Sequence, residues 1–254
     1  MYLLKKKTYQ KRAQTFYSGK KRVKKLFLLI LLLSPLLFHF FSCGKNNKTV
    51  SNKNQTEQKF INAGLFDISE IDETIEVDLV NSDRGKNVFR QDFYSGLQKA
   101  YLQKEVALRL SEAQKILKSK HPEYSLLIMD AARPRSVSQE MSDSVKGTRL
   151  EKFIADPGKG SMHNYGTAVD VTIIDENKNE LDMGFSPFYR SKLILAFQYL
   201  LYRRRGGLTK RQIENRELLN EVMIAAGFLP LSFEWWHFIG LPKDVTRLKY
   251  SIIE

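Results

Sequence analysis

One charge inside an otherwise apolar strand constrains this chain more than any other feature. Thr167-Ala-Val-Asp-Val-Thr-Ile-Ile174 is rich in β-branched residues and lies between Gly166 and the polar run Asp175-Glu-Asn-Lys-Asn, so it reads as a strand ending in a turn. Asp170 is its only charge and shares a face with Ala168 and Thr172. A carboxylate in a buried strand needs a partner, and a metal ion is a good one.

The histidines supply the other half of the argument. There are four, His39, His121, His163 and His237, and two of them stand in chemically loaded segments. His163 lies in Gly160-Ser-Met-His-Asn-Tyr-Gly166, just ahead of the strand. His237 closes Glu234-Trp-Trp-His237. An unbroken strand would put His163 and Asp170 on opposite faces, whereas a turn at Gly166 can bring them together. Glu234 and His237 share a face only if the chain bends or bulges between them, so a bend or bulge is expected there. Two imidazoles and one carboxylate leave a fourth position of a zinc ion open, the catalytic arrangement. A second carboxylate nearby can then serve as general base. Taken singly, each of these residues could be an ordinary hydrogen-bonded core residue. Their combination points to metal chemistry. His121, followed by Pro122 at a helix end, reads as a capping or surface residue.

With these residues in view, the chain resembles a known family. Ser161-x-His163-x-x-Gly166-x-Ala168-x-Asp170 with Glu234-x-Trp236-His237 is similar to the zinc D-alanyl-D-alanine dipeptidases, part of a wider group of D,D-peptidases that share a fold with the hedgehog signalling domain. A third matching piece is Asp130-Ala-Ala-Arg133-Pro134, and the likeness runs from about Val77 to Ile239. It implies an α+β fold, a small and mostly antiparallel sheet with packed helices. It also implies one Zn2+ per chain on His163, Asp170 and His237, with Glu234 as general base. Arg133 would stabilise the transition state and Ser161 would bind substrate. The implied substrate is D-Ala-D-Ala or a related peptidoglycan peptide. Asn87-Val-Phe89 and Tyr94 resemble a family segment that helps wall the substrate pocket. In one respect the chain departs from the family. Where typical dipeptidases carry an acid for the substrate's free amine, this chain has Phe188-Tyr189, which leaves Asp182 or another acid as the candidate substitute. The departure keeps open a D,D-carboxypeptidase or endopeptidase. A non-catalytic zinc module is a further alternative, but it would need neither Glu234 nor Arg133.

Charge sharpens the picture of organisation. The net charge is +13, yet residues 1–42 hold ten basic residues and no acid, leaving 31 basic against 28 acidic residues elsewhere. The excess therefore belongs to a leader, and a nucleic-acid footprint on the folded part is excluded. A basic segment, then the mostly apolar Leu26 to Phe41, then Cys43 resembles a bacterial lipoprotein signal. The expectation is a signal peptide over 1–42, lipidation at Cys43, a polar tether and lead-in over 43–73, and a zinc peptidase domain over 74–254. An uncleaved signal anchor is the alternative. Either one puts the domain outside the cytoplasm, on the membrane of the bacterial envelope.

The remaining pattern predicts a half-buried strand over 74–80, a helix from Leu97 to Lys118, and a buried strand over 124–129. A short helix over 136–145 and an apolar-rich helix over 190–204 follow. The last helix predicted runs from Thr209 to about Ala226, with Gly227 as its stop.

Overall fold

In a computed structural model, residues 47–148, 151, 156–184, 207–232 and 234–254 are described. The chain divides into two compact units, Met1–Gly44 and Lys45–Glu254, and the described residues all fall in the second. The leader, Cys43, Phe188-Tyr189 and the helix expected over 190–204 lie outside the described residues. Among those described, no helix is long and apolar enough to cross a membrane.

The fold is α+β. Helix α1 (Asn47–Asn62) leads to the two-residue strand β1 (Phe66–Asp67), the short helix α2 (Ile68–Ile71) and strand β2 (Glu76–Val77). Strand β3 (Tyr101–Leu102) precedes helix α3 (Lys104–Lys120), strand β4 (Ser125–Asp130) and helix α4 (Arg135–Val145). Strand β5 (Ala168–Ile174), helix α5 (Lys210–Ala225), strands β6 (Leu229–Leu231) and β7 (Glu234–Ile239) and helix α6 (Lys243–Lys249) complete it. The main sheet has the order β2-β4-β5-β7-β6 and is antiparallel except for the β2–β4 pair; β1 and β3 form a separate antiparallel ribbon.

Strand β5 lies at the sheet's centre and is buried along its whole length. Its alternation separates two tasks. Val169, Val171 and Ile173 join the main core with Val106, Leu110 and Leu117 of α3 and Val222 of α5. Asp170 points to the opposite side, toward the site described below. Helix α5 begins as the sequence predicts: the Thr209 hydroxyl accepts the Gln212 N–H at 3.2 Å, and the Gln212 side chain accepts the Thr209 N–H at 3.0 Å. Gly227, at φ 89°, follows its end.

Three expectations are corrected. The lead-in, expected to precede a domain that starts at residue 74, is folded into that domain. Phe60, Leu65 and Ile68 are core residues, and β1 pairs with β3, so the packed domain begins well before residue 74. That pairing also takes Tyr101 and Leu102 out of the expected helix, which starts only at Lys104. The strand over 74–80 shrinks to Glu76–Val77, because Val80–Ser82 turns into a single 3-10 turn.

Candidate active site

His163 is placed by a tight turn rather than by a regular element. Met162–Tyr165 is a 3-10 turn that Gly166 ends in the left-handed conformation, φ 67° and ψ 27°. A Cβ on Gly166 would also lie 2.7 Å from Leu65 Cδ2, so both backbone and space call for glycine. The turn is stitched to the segment after β4. The Arg133 N–H donates to the His163 carbonyl at 2.9 Å, and the Asn164 side chain donates to the Arg133 carbonyl at 2.9 Å and to Ser138 Oγ at 2.9 Å. Asp170 and His237 need no such device, being direct cross-strand partners of β5 and β7.

The bend expected near Glu234 is a bulge. Across the β6–β7 pair, Pro230 faces Phe238 and Leu231 faces Glu234, so Trp235, Trp236 and His237 have no counterpart on β6. This slip lets Glu234 and His237 line the same cavity despite their spacing. The two tryptophans contact each other edge to face at 5.6 Å, and Trp235 packs on the main core under the Arg216 guanidinium. Neither lines the cavity, so they do not form the floor of a metal site; Trp236 is half-buried.

His163, Asp170 and His237 each bring one ligand atom within 4.8 Å of the others. His237 Nδ1 is 3.0 Å from Asp170 Oδ1, and His163 Nε2 is 3.1 Å from His237 Nδ1 and 3.4 Å from Asp170 Oδ1. His163 Nδ1 lies 2.6 Å from the Ala131 carbonyl and can only donate to it, which leaves the lone pair on Nε2, facing the cluster. Burial opposes protonation of His163, but the Asp170 carboxylate outweighs it and raises the imidazole above its ordinary value. Burial likewise works against Asp170's charge, and the two imidazoles overcome it, holding the carboxyl well below the usual range. Two nitrogens and an oxygen gathered on one buried cavity wall fit a divalent cation of the zinc type.

Glu234 lines the same cavity of about 310 Å³ and makes no hydrogen bond or ion pair among the described residues. Burial raises its pKa, the direction that suits a general base working near neutrality. Arg133 is on the wall too, and sequence reasoning missed how it is held. Its Nε donates to Asp130 Oδ2 at 3.1 Å, and its Nη2 donates to the same oxygen. Asp130 also accepts from Tyr94 Oη and Asn81 Nδ2, each at 2.9 Å, and from the Ala131 N–H at 3.0 Å. Burial, with Asp130 beside it, pushes the Tyr94 phenol well up and keeps it a donor. Tyr94 is therefore not a wall of the pocket but part of the anchor beneath Arg133. Asn87 and Phe89 do not reach the cavity either. Asn87 ties its own loop to the carbonyls of Val80, Asp83 and Gln91, and Phe89 packs on Phe93.

Ser161 lines the cavity, with its Oγ buried and without a hydrogen-bond partner among the described residues. Asp182 does not: it accepts from the Gly184 N–H and the Gln212 side chain, which tie it to the start of α5. His121 is at the surface, as expected, stacked on Tyr124 and 3.7 Å from Glu123.

An open cavity, a His-Asp-His donor set, an unpaired glutamate and a fixed arginine define the site of a hydrolytic metallopeptidase. The chain belongs to the peptidase M15 family, described as D-ala-D-ala dipeptidase, whose profile matches residues 61–251. It is 32% identical over 121 residues to a D-alanyl-D-alanine dipeptidase of Escherichia coli, covering 48% of this chain and 57% of the relative. A Synechocystis protein of the same description is 29% identical over 57% of this chain and 71% of its own length. One from Enterococcus faecalis is 26% identical over 59% and 78%. The match thus spans somewhat more than half the length of the Escherichia coli relative.

Proposed function

We propose that this chain hydrolyses D-alanyl-D-alanine, with a zinc ion held by His163, Asp170 and His237. The observation that carries the reading is the meeting of those three side chains with Glu234 and Arg133 around one cavity; the family and its named dipeptidases point to the substrate. Bound zinc would supply Lewis-acid polarisation and lower the pKa of water toward ~7. Glu234, unpaired and raised in pKa by burial, takes the proton of the attacking water and delivers it to the leaving amine. Arg133, fixed by Asp130, meets the negative charge that grows on the carbonyl oxygen. The Ser161 hydroxyl is free to hydrogen-bond the substrate.

A second reading, a D,D-carboxypeptidase or endopeptidase acting on peptidoglycan peptides, is favoured by one observation: Asp182 is tied to Gln212 and lies off the cavity wall, so it is no anchor for a dipeptide's amine. Release of D-alanine by zinc-loaded protein from D-Ala-D-Ala, beside release from a muramyl pentapeptide, separates the two readings. Glu234→Ala should keep its zinc and lose on the order of 10²- to 10⁴-fold in rate. Loss of zinc in that variant would overturn its role as base. The leader further supports an envelope enzyme tethered through lipid on Cys43, for which palmitate labelling abolished by Cys43→Ser is the check.

A further inference from the structure

The cavity wall carries two cations that the proposed chemistry does not use. Lys243 and Arg247 stand four residues apart on α6, both exposed and both lining the cavity that holds His163, Glu234 and Arg133. Neither has an ion-pair or hydrogen-bond partner among the described residues. Their neighbours contrast with them. Lys249, on the same helix, is 2.6 Å from Glu105, and Arg133 is held in place by Asp130. Like charges four apart on a helix repel each other. That repulsion would be relieved by an anion between them. The opposing exposed acid on the wall, Asp156, already accepts the Gly158 N–H at 2.9 Å.

We infer that Lys243 and Arg247 form a carboxylate subsite at the mouth of the cavity, which selects peptides by a carboxylate group of the substrate. The inference rests on the peptidase reading. Arg247 offers a planar fork suited to a carboxylate, and Lys243 a compact point charge beside it. The recognised group is either the terminal carboxylate of the residue to be released or a side-chain carboxylate of a longer peptide.

The test uses the full chain in two forms. In zinc-loaded protein, the double variant Lys243→Ala/Arg247→Ala is compared with wild type on four substrates: D-Ala-D-Ala, its C-terminal amide, and two longer peptides ending in D-Ala-D-Ala, one with Glu and one with Gln in its body. KM should rise roughly tenfold, the scale of one charge-assisted hydrogen bond, with kcat unchanged within twofold. The rise should vanish when the recognised carboxylate is amidated. Sensitivity to the terminal amide assigns the terminal group, and sensitivity to Glu against Gln assigns the side chain. Equilibrium binding of the same peptides to a Glu234→Ala background gives a readout that needs no turnover. A carboxylate-dependent loss of affinity there supports the subsite even if hydrolysis fails. Unchanged affinity in the double variant, or a loss that sits in kcat alone, overturns it.

Discussion

Two buried carboxylates face each other across strands β4 and β5 and are treated in opposite ways. Asp130 and Asp170 are register partners. Asp130 is enclosed by the chain's own donors, Arg133, Tyr94, Asn81 and the Ala131 N–H. Among the described residues Asp170 has only two imidazoles as side-chain partners, His163 and His237, and it opens onto the cavity. Like charges placed opposite each other in a sheet are unfavourable, and a buried charge without a counter-charge is more so. The sheet can hold both because one is neutralised from within by a guanidinium and the other is left for a cation. The first fixes the geometry of Arg133, and the second makes a binding site.

The contrast can be broken at either end. Asp170→Asn should give the largest effect: zinc affinity should fall by more than the roughly 10–100-fold typical of losing an outer-shell partner, with folding preserved. Equilibrium dialysis against a zinc chelator reads it, and an unchanged affinity would remove Asp170 from the ligand set. Asp130→Ala should do the reverse. Stripping the partner from a largely buried guanidinium should cost about 3–5 kcal/mol of stability in denaturant titration, while zinc per folded molecule stays the same. If that variant loses zinc instead, the two carboxylates are not separate systems.

Gly166→Ala should fall between the sites and the surface. A left-handed residue with a Cβ in this place carries on the order of 1–3 kcal/mol of strain, before the clash with Leu65. Thermal unfolding of the variant measures this, and a wild-type Tm would mean that the turn relaxes. The smallest effect belongs to an exposed pair. Lys249 and Tyr250 donate to Glu105 and lower its carboxyl below the ordinary 4.5. A depressed carboxyl stabilises the fold above its unfolded value and loses that contribution as pH falls through its folded value. Glu105→Gln should therefore lie slightly below wild type at neutral pH, by less than about 1 kcal/mol, and converge with it in acid. A gap that widens in acid would contradict the assignment.

Much of the site was legible because its signals are local. A charge amid β-branched residues, a glycine between His163 and the strand, and a His three residues after a Glu each announce themselves in a short window. The bulge was readable too, since the spacing from Glu234 to His237 is incompatible with a flat strand. The lead-in was not. Residues 44–56 read as a polar tether, and what makes the lead-in after them part of the domain is that Phe60 reaches the core while β1 claims β3 as partner. The anchor of Arg133 was equally hidden: Asn81 and Tyr94 lie 49 and 36 residues before Asp130. Nothing in their neighbourhoods names that acid.

The sequence by itself determined which groups are on offer at the candidate site, two imidazoles, two carboxylates and an arginine, because residue type sets what can bind a metal or move a proton. Only the tertiary structure decided that Asp170 stays open while Asp130 is closed. That choice depends on which strands pair and in what register, a property of contacts between residues far apart in the chain.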